Sequence, residues 1–127
     1  MTSLDMVWVG LGGALGSLAR WGIGRVVGER WHGVRFPLGT FVINVSGAFA
    51  IGYLAILFGY DWFDRYGSFL TAAVLTGFLG GYTTFSSMQL DAATLLGGSG
   101  GRDAAVYLFA SVAAGMGAAA LGAALAA

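Results

Sequence analysis

Apolar residues dominate four stretches of the chain, and short polar or charged segments separate them. The stretches span residues 4–27, 38–59, 68–96 and 104–127. Because about 20 apolar residues cross the hydrocarbon core of a bilayer as a helix, each stretch is long enough for one crossing. The pattern therefore predicts an all-α membrane protein, with four transmembrane helices in a single domain over residues 1–127.

The third stretch combines an apolar pattern with residues that interrupt helices. Residues 67–90 carry no charge, but residues 77–88 read GFLGGYTTFSSM, which is rich in glycine and hydroxyl side chains. We expect a break near residues 80–84, with the first half-helix ending near 78–80 and the second beginning near Thr84. Backbone that leaves a helix at membrane depth needs protein or water as a partner. The two half-helix ends would offer carbonyl groups to a small cation and amide groups to an anion.

Composition agrees with a membrane protein and excludes several kinds of chemistry. The chain is 57% hydrophobic and 9% charged, and its mean hydropathy is +0.80. The formal net charge is zero, which gives no electrostatic case for a nucleic-acid partner. The absence of cysteine removes disulfides and thiolate ligands, and His32 is the only histidine. We therefore expect no organic cofactor and no histidine-based metal site.

Glycine accounts for 23 of the 127 residues, and several glycines are spaced four apart. Such pairs let helix backbones approach closely in membranes. They occur at Gly12 and Gly16, Gly24 and Gly28, and Gly77 and Gly81. Each pair is explained by tight packing within one bundle, but four thin helices do not easily enclose a polar path. A dimer is the natural way to build the walls of such a path.

Two helices carry polar residues along one face. Thr40, Asn44 and Gly47 follow each other at spacings of four and three, and Tyr107 and Ser111 at a spacing of four. Asn44 could make an interhelical hydrogen bond or offer amide donors to an anion in a pore. The hydroxyl groups of Tyr107 and Ser111 could be packing contacts or one wall of a polar track. Together with the broken helix, the polar faces favour a track.

Charged residues within or beside the apolar stretches have alternative interpretations. Arg20 could extend to the headgroups, draw anions toward a vestibule or form a buried ion pair. Asp91 could mark the return of the second half-helix to water or influence ion entry. Five arginines lie toward one side of the predicted helices and only Arg65 toward the other, so the positive-inside rule favours an external amino terminus. The five are Arg20, Arg25, Arg30, Arg35 and Arg102.

Three segments resemble the CrcB/Fluc family of fluoride channels, and the resemblance extends along the whole chain. Residues 13–21 read GALGSLARW, residues 39–47 read GTFVINVSG and residues 77–86 read GFLGGYTTFS. The resemblance implies an antiparallel, dual-topology dimer with two fluoride pores that exports fluoride passively across the cell (inner) membrane. The implied partners are a second copy or a paired homologous subunit, fluoride and membrane lipid.

The resemblance also assigns roles by position. Asn44 resembles the family's pore asparagine, Phe85 the first phenylalanine of its ring-edge box, and Tyr107 and Ser111 its polar track. Thr40 joins this predicted fluoride pathway, and Arg20 matches the arginine of the vestibule. Met88 stands where the family has a second phenylalanine. Gly80 and Thr83 match the positions whose carbonyl groups hold a structural sodium ion at the dimer interface.

Other classes of protein fit the sequence less well. A proton-coupled exporter of the small-multidrug-resistance type needs an intramembrane carboxylate, and the first stretch has only Asp5, at its edge. A non-transporting assembly subunit would leave the interrupted helix and the polar faces unexplained. An enzyme is not expected, because no nucleophile, base and orienting group converge by spacing.

Overall fold

The computed structural model describes residues 3–31, 33, 36–57, 71–98 and 100–127. Every regular element in these ranges is helical. The elements are α1 (Ser3–Arg30), α2 (Leu38–Leu57), a π-helical segment (Thr71–Leu79), α3 (Gly80–Tyr82), α4 (Phe85–Gly97) and α5 (Gly101–Ala126). The predicted end of the second helix at residue 59, the start of the third at residue 68 and His32 lie outside the described residues.

Two helices extend beyond their predicted bounds. Helix α1 continues to Arg30 rather than ending at residue 27, and Arg25 forms an ion pair with Glu29 at 3.1 Å in its last turns. Such a pair four residues apart stabilises a helix. Helix α5 begins at Gly101 rather than at residue 104, directly after Gly100, whose φ of 108° requires a glycine. Hydropathy alone misses both ends because the added residues are polar or glycine.

Two extended residues separate α3 from α4. Thr83 has φ −78° and ψ 155°, and Thr84 has φ −150° and ψ 121°. Thr84 is the N-cap of α4, and its hydroxyl oxygen accepts a hydrogen bond from the backbone N–H of Ser87 at 3.2 Å. The first helical run therefore ends at Tyr82, later than the predicted 78–80. The π-helical geometry before it was not predicted, because hydropathy does not distinguish π from α turns.

Glycines allow the helices to touch backbone to backbone. A methyl group at Gly12 would collide with the carbonyl oxygen of Ala73, and one at Gly16 with the carbonyl oxygen of Phe78. These contacts join α1 to the π-helical segment. Helices α2 and α5 meet in the same way, because a methyl group at Gly52 would collide with the carbonyl oxygen of Ala119. The pair Gly12 and Gly16 thus serves packing within the protomer.

Two helices are long and apolar enough to cross a membrane. They are α2 over Leu38–Ile56 and α5 over Gly101–Ala126, judged by length and composition. Only 11% of each apolar window is buried inside the protomer. The core helix of a soluble protein would be mostly buried, so most of these apolar faces need lipid or another protein as cover.

The described core lies between α4 and α5. It comprises Met88, Ala92, Leu95, Ala104 and Tyr107, and Tyr107 is fully buried. Phe36 packs edge-on against both Phe41 and Tyr107, with ring centroids 5.3 and 5.2 Å apart. This cluster holds α4, which follows the interruption, against α5, which carries the predicted polar track.

Candidate ion pathway

Asn44 bonds to both backbone groups of Thr84. Its Nδ2 donates to the Thr84 carbonyl oxygen at 3.0 Å, and its Oδ1 accepts from the Thr84 N–H at 2.9 Å. The side chain thereby satisfies the backbone of a residue that lies outside any helix. A primary amide has two N–H donors, and among the described residues Asn44 donates only to the Thr84 carbonyl oxygen. The interhelical hydrogen bond considered for Asn44 is present, and one donor remains for a further ligand.

A cavity of about 260 Å³ lies beside Asn44 at the start of α4. Its lining includes Thr83, Thr84, Phe85 and Met88. The first amide groups of a helix are partly positive and favour an anion. The Phe85 side chain is 67% exposed, whereas Met88 is 9% exposed and packs into the core beside Tyr107. Phe85 therefore presents its ring outward, while Met88 forms part of the inner wall.

A larger cavity of about 600 Å³ shares Thr84 with the smaller one in its lining. Arg20, Trp21 and Arg25 contribute one wall, and Thr40 and Asp91 contribute polar groups opposite. The Thr40 hydroxyl donates to Asp91 Oδ2 at 2.7 Å. Asp91 therefore bonds within the protein, a contact that the sequence interpretation did not anticipate.

Arg20 forms no ion pair with any other residue that the structure describes. The one pair in the described ranges joins Arg25 to Glu29, and Arg25 also lies over the Trp21 ring, 5.4 Å from its centroid. Of the three interpretations of Arg20, the buried pair finds no support in these ranges. Its position on the wall of the larger cavity agrees with a role in attracting anions.

Two buried hydroxyl groups on α5 have no hydrogen-bond partner among the described residues. They belong to Tyr107, which is fully buried, and Ser111, which is 7% exposed. Asp91, Thr40 and Ser111 are the neighbouring polar side chains that act on the Tyr107 hydroxyl, although none lies within hydrogen-bond geometry of it. A buried hydroxyl without a partner is costly. A hydroxyl group whose O–H makes no hydrogen bond in this position is suited to bind a water molecule or an anion.

Gly80 and Thr83, the predicted cation ligands, lie at the two ends of α3: Gly80 is its first residue and Thr83 follows its last. A small, hard cation binds oxygen ligands, including backbone carbonyl groups. Gly80 is exposed, and no atom lies within 4 Å of the position that a side chain would take. No donor among the described residues bonds to the Thr83 carbonyl oxygen. The Thr83 carbonyl oxygen is therefore available to a cation, and Gly80 lies at an open surface.

The structure gathers most of the predicted pathway residues around the interruption. Asn44, Phe85 and Met88 share the smaller cavity, and Arg20 and Thr40 share the larger one. Tyr107 and Ser111 lie buried behind them, and Gly80 lies apart from both cavities. Sequence reasoning missed the bond of the Ser46 hydroxyl with the Tyr82 hydroxyl, 2.8 Å apart. No periodic signal marks it.

Apolar helices that are mostly unburied within the protomer define a helical membrane protein, and two cavities with a few polar groups in their walls flank the helix interruption. Comparison with known proteins places it more closely. The sequence profile described as CrcB-like protein, Camphor Resistance (CrcB) matches residues 7–123. The chain belongs to the CrcB family.

Similar proteins match the chain over nearly its full length. One is the "Fluoride-specific ion channel FluC 2" of Brucella suis biovar 1, 66% identical over 126 residues, which covers 99% of this chain and 97% of the relative. Another is a protein of the same name from Yersinia pseudotuberculosis, 64% identical, with 99% of both chains covered. A more distant relative of that name, from Moorella thermoacetica, is 40% identical over 87% of this chain and 88% of its own length.

Proposed function

We propose that this chain forms a fluoride-selective channel that exports fluoride passively across the cell (inner) membrane. The names of its relatives support this proposal. The structural observation that carries it is the pair of buried hydroxyl groups on Tyr107 and Ser111 without a partner among the described residues. The chain acts as a channel and not as an enzyme.

The pathway must replace the water that a small anion gives up on entering the protein. Burial of an unpaired charge is prohibitive unless donors compensate it. The proposed donors are the second N–H of Asn44, the hydroxyls of Tyr107 and Ser111, and the first amides of α4. Arg20 attracts the anion into the larger cavity, and Thr40 stands on its wall. Phe85 and Met88 line the narrower part, where the positive edge of the Phe85 ring faces the anion.

A second subunit completes the pathway in this proposal. Phe85 is 67% exposed beside an open cavity, so one protomer does not enclose an ion there. A second copy, or a paired homologous subunit, inserts in the antiparallel orientation and supplies the missing wall of two pores. The π-helical segment with α3 forms one half of a discontinuous transmembrane helix, and α4 forms the other half. Carbonyl groups of Gly80 and Thr83 from both subunits hold a structural sodium ion at the interface.

Efflux from liposomes tests the function directly. Purified chain alone is reconstituted into vesicles loaded with potassium fluoride, and fluoride release is followed with an electrode after a potassium ionophore is added. We expect rapid release of fluoride and no release of chloride from matched vesicles. Equal passage of chloride would contradict selectivity, and fluoride movement driven uphill by a pH gradient would contradict passive transport.

Substitution of Tyr107 tests a single hydrogen-bond donor of the proposed pathway, whereas efflux from the original chain tests only the overall function. We expect Tyr107→Phe to lower fluoride efflux about tenfold, the order of one lost hydrogen bond to a charged group. The melting temperature should stay the same or rise, because the substitution removes a buried hydroxyl without a partner among the described residues. Tyr53→Phe is the matched control, since Tyr53 lines neither cavity. A melting temperature that falls together with the flux would assign the hydroxyl a structural role.

A further inference from the structure

Helix α2 holds the interruption through Ser46 as well as through Asn44. The Ser46 hydroxyl lies 2.8 Å from the Tyr82 hydroxyl, and Ser46 Oγ also donates to the Ile43 carbonyl oxygen at 3.1 Å. A hydroxyl group has one hydrogen to donate. Because Ser46 uses its hydrogen on Ile43, the Tyr82 hydroxyl is the donor to Ser46. This bond tethers the last residue of α3 to α2.

The rest of the Tyr82 side chain is fixed by packing. The residue is 7% exposed, and its ring stacks on Phe78 with centroids 6.0 Å apart. A ring that is buried and stacked has little conformational freedom, so the hydroxyl group of Tyr82 is held in one position. The tether therefore restrains the backbone of Tyr82 rather than only its side chain.

Thr83 lies between two anchored residues. Tyr82 is tied to Ser46 on one side, and both backbone groups of Thr84 are tied to Asn44 on the other. The Thr83 hydroxyl donates to the Leu79 carbonyl oxygen at 2.9 Å, and a methyl group at Gly47 would collide with the Thr83 side chain. These contacts leave the Thr83 peptide few orientations. The direction of its carbonyl group is thus set from α2.

We infer that the Ser46–Tyr82 hydrogen bond is a positioning contact for the sodium site. The inference rests on the proposed role of the Gly80 and Thr83 carbonyl groups, and it assigns a function to two residues that touch neither cavity. Carbonyl oxygens bind a cation only within a few tenths of an ångström of the preferred distance. Loss of the tether lets the Thr83 carbonyl depart from that distance, so sodium binds more weakly while the helices remain packed.

Sodium-dependent thermal unfolding of the purified dimer tests this inference without relying on transport. A ligand that binds the folded state raises the melting temperature with a dependence on its concentration that reports its affinity. Sodium is titrated against N-methylglucamine at constant ionic strength and chloride. We expect Tyr82→Phe and Ser46→Ala each to raise the sodium concentration for the half-maximal effect about fivefold, the order of a single neutral hydrogen bond. The double variant should show no further increase.

Two controls separate positioning from general stability. Tyr53→Phe removes a hydroxyl group from α2 away from the interruption and should leave the sodium dependence unchanged. Ser46→Thr keeps the acceptor and should retain the sodium affinity of the original chain. Ser46 is exposed, so Ser46→Ala loses little packing and decides the question if Tyr82→Phe yields no folded dimer.

The outcomes distinguish this inference from the proposed function. An unchanged half-maximal sodium concentration in both variants would overturn the inference, and so would a uniform fall in melting temperature at every sodium concentration. If the unsubstituted chain conducts fluoride but its melting temperature does not depend on sodium, both the proposed cation site and this inference are contradicted. The proposed channel function is not affected by that result. A starting chain that responds to sodium without conducting fluoride would contradict the channel function alone.

Discussion

Asn44→Asp is expected to reduce fluoride efflux by about two orders of magnitude. The substitution places a carboxylate oxygen where Nδ2 now donates to the Thr84 carbonyl oxygen, so two acceptors face each other. It also puts a negative charge beside the smaller cavity, where an anion must pass. An uncompensated buried charge costs ~3 kcal/mol or more, which corresponds to a factor of about 100. Initial efflux rates from liposomes at matched protein density measure the loss.

Gln89→Glu is the matched control, because it makes the same change from amide to carboxylate one turn into α4. Gln89 is exposed and lines neither cavity. Gln89 lies four residues after Phe85 on the same exposed face of α4, so its new charge also has a cost. We expect its efflux to fall clearly less than that of Asn44→Asp, because it opposes no bond to the Thr84 backbone. Size-exclusion chromatography confirms that both variants form the same oligomer. A folded Asn44→Asp protein with unchanged efflux would show that Asn44 is not part of the fluoride pathway.

Gly16→Ala is expected to cause a large loss of stability. The new methyl group would collide with the Phe78 carbonyl oxygen and lie 3.0 Å from the Tyr82 nitrogen. Backbone atoms cannot move aside as a flexible side chain can, so α1 must separate from the π-helical segment. Overpacking of this kind costs ~1–3 kcal/mol or more. We expect a fall in melting temperature of about 10 °C, measured by thermal unfolding in detergent.

Gly22→Ala provides the comparison on the same helix. No atom lies within 4 Å of a methyl group at Gly22, and alanine favours a helix more than glycine does. We expect this variant to be as stable as the original chain or slightly more stable. Equal destabilisation by both substitutions would show that the close approach at Gly16 is not what limits stability.

The parts of the fold that depend on local pattern could be predicted from the sequence. The apolar stretches became helices because their length and composition leave a membrane segment few alternatives. The shared face of Thr40, Asn44 and Gly47 followed from helical spacing, and all three side-chain positions contact residues between Thr83 and Asp91. Periodicity therefore identified three residues of α2 that face residues 83–91.

The contacts that those residues make could not be predicted. Asn44 and Thr84 are 40 positions apart, and nothing in the spacing of either segment indicates that one amide would satisfy both backbone groups. Ser46 lies about 100° around the helix from Gly47, off the predicted face, and only the length of the Tyr82 side chain brings the two hydroxyls together. The π-helical segment left no hydropathy signal. These features depend on tertiary packing.

The double bond between Asn44 and the backbone of Thr84 has a consequence for which sequences can replace this one. Position 44 must supply one acceptor and one donor side by side at a fixed reach, and still keep a second donor free. Serine and threonine lack the paired geometry, aspartate lacks the donors, and glutamine places the same groups one methylene too far away. Asparagine is therefore the one amino acid that meets all of these requirements at position 44, although most of α2 accepts any apolar side chain of suitable size.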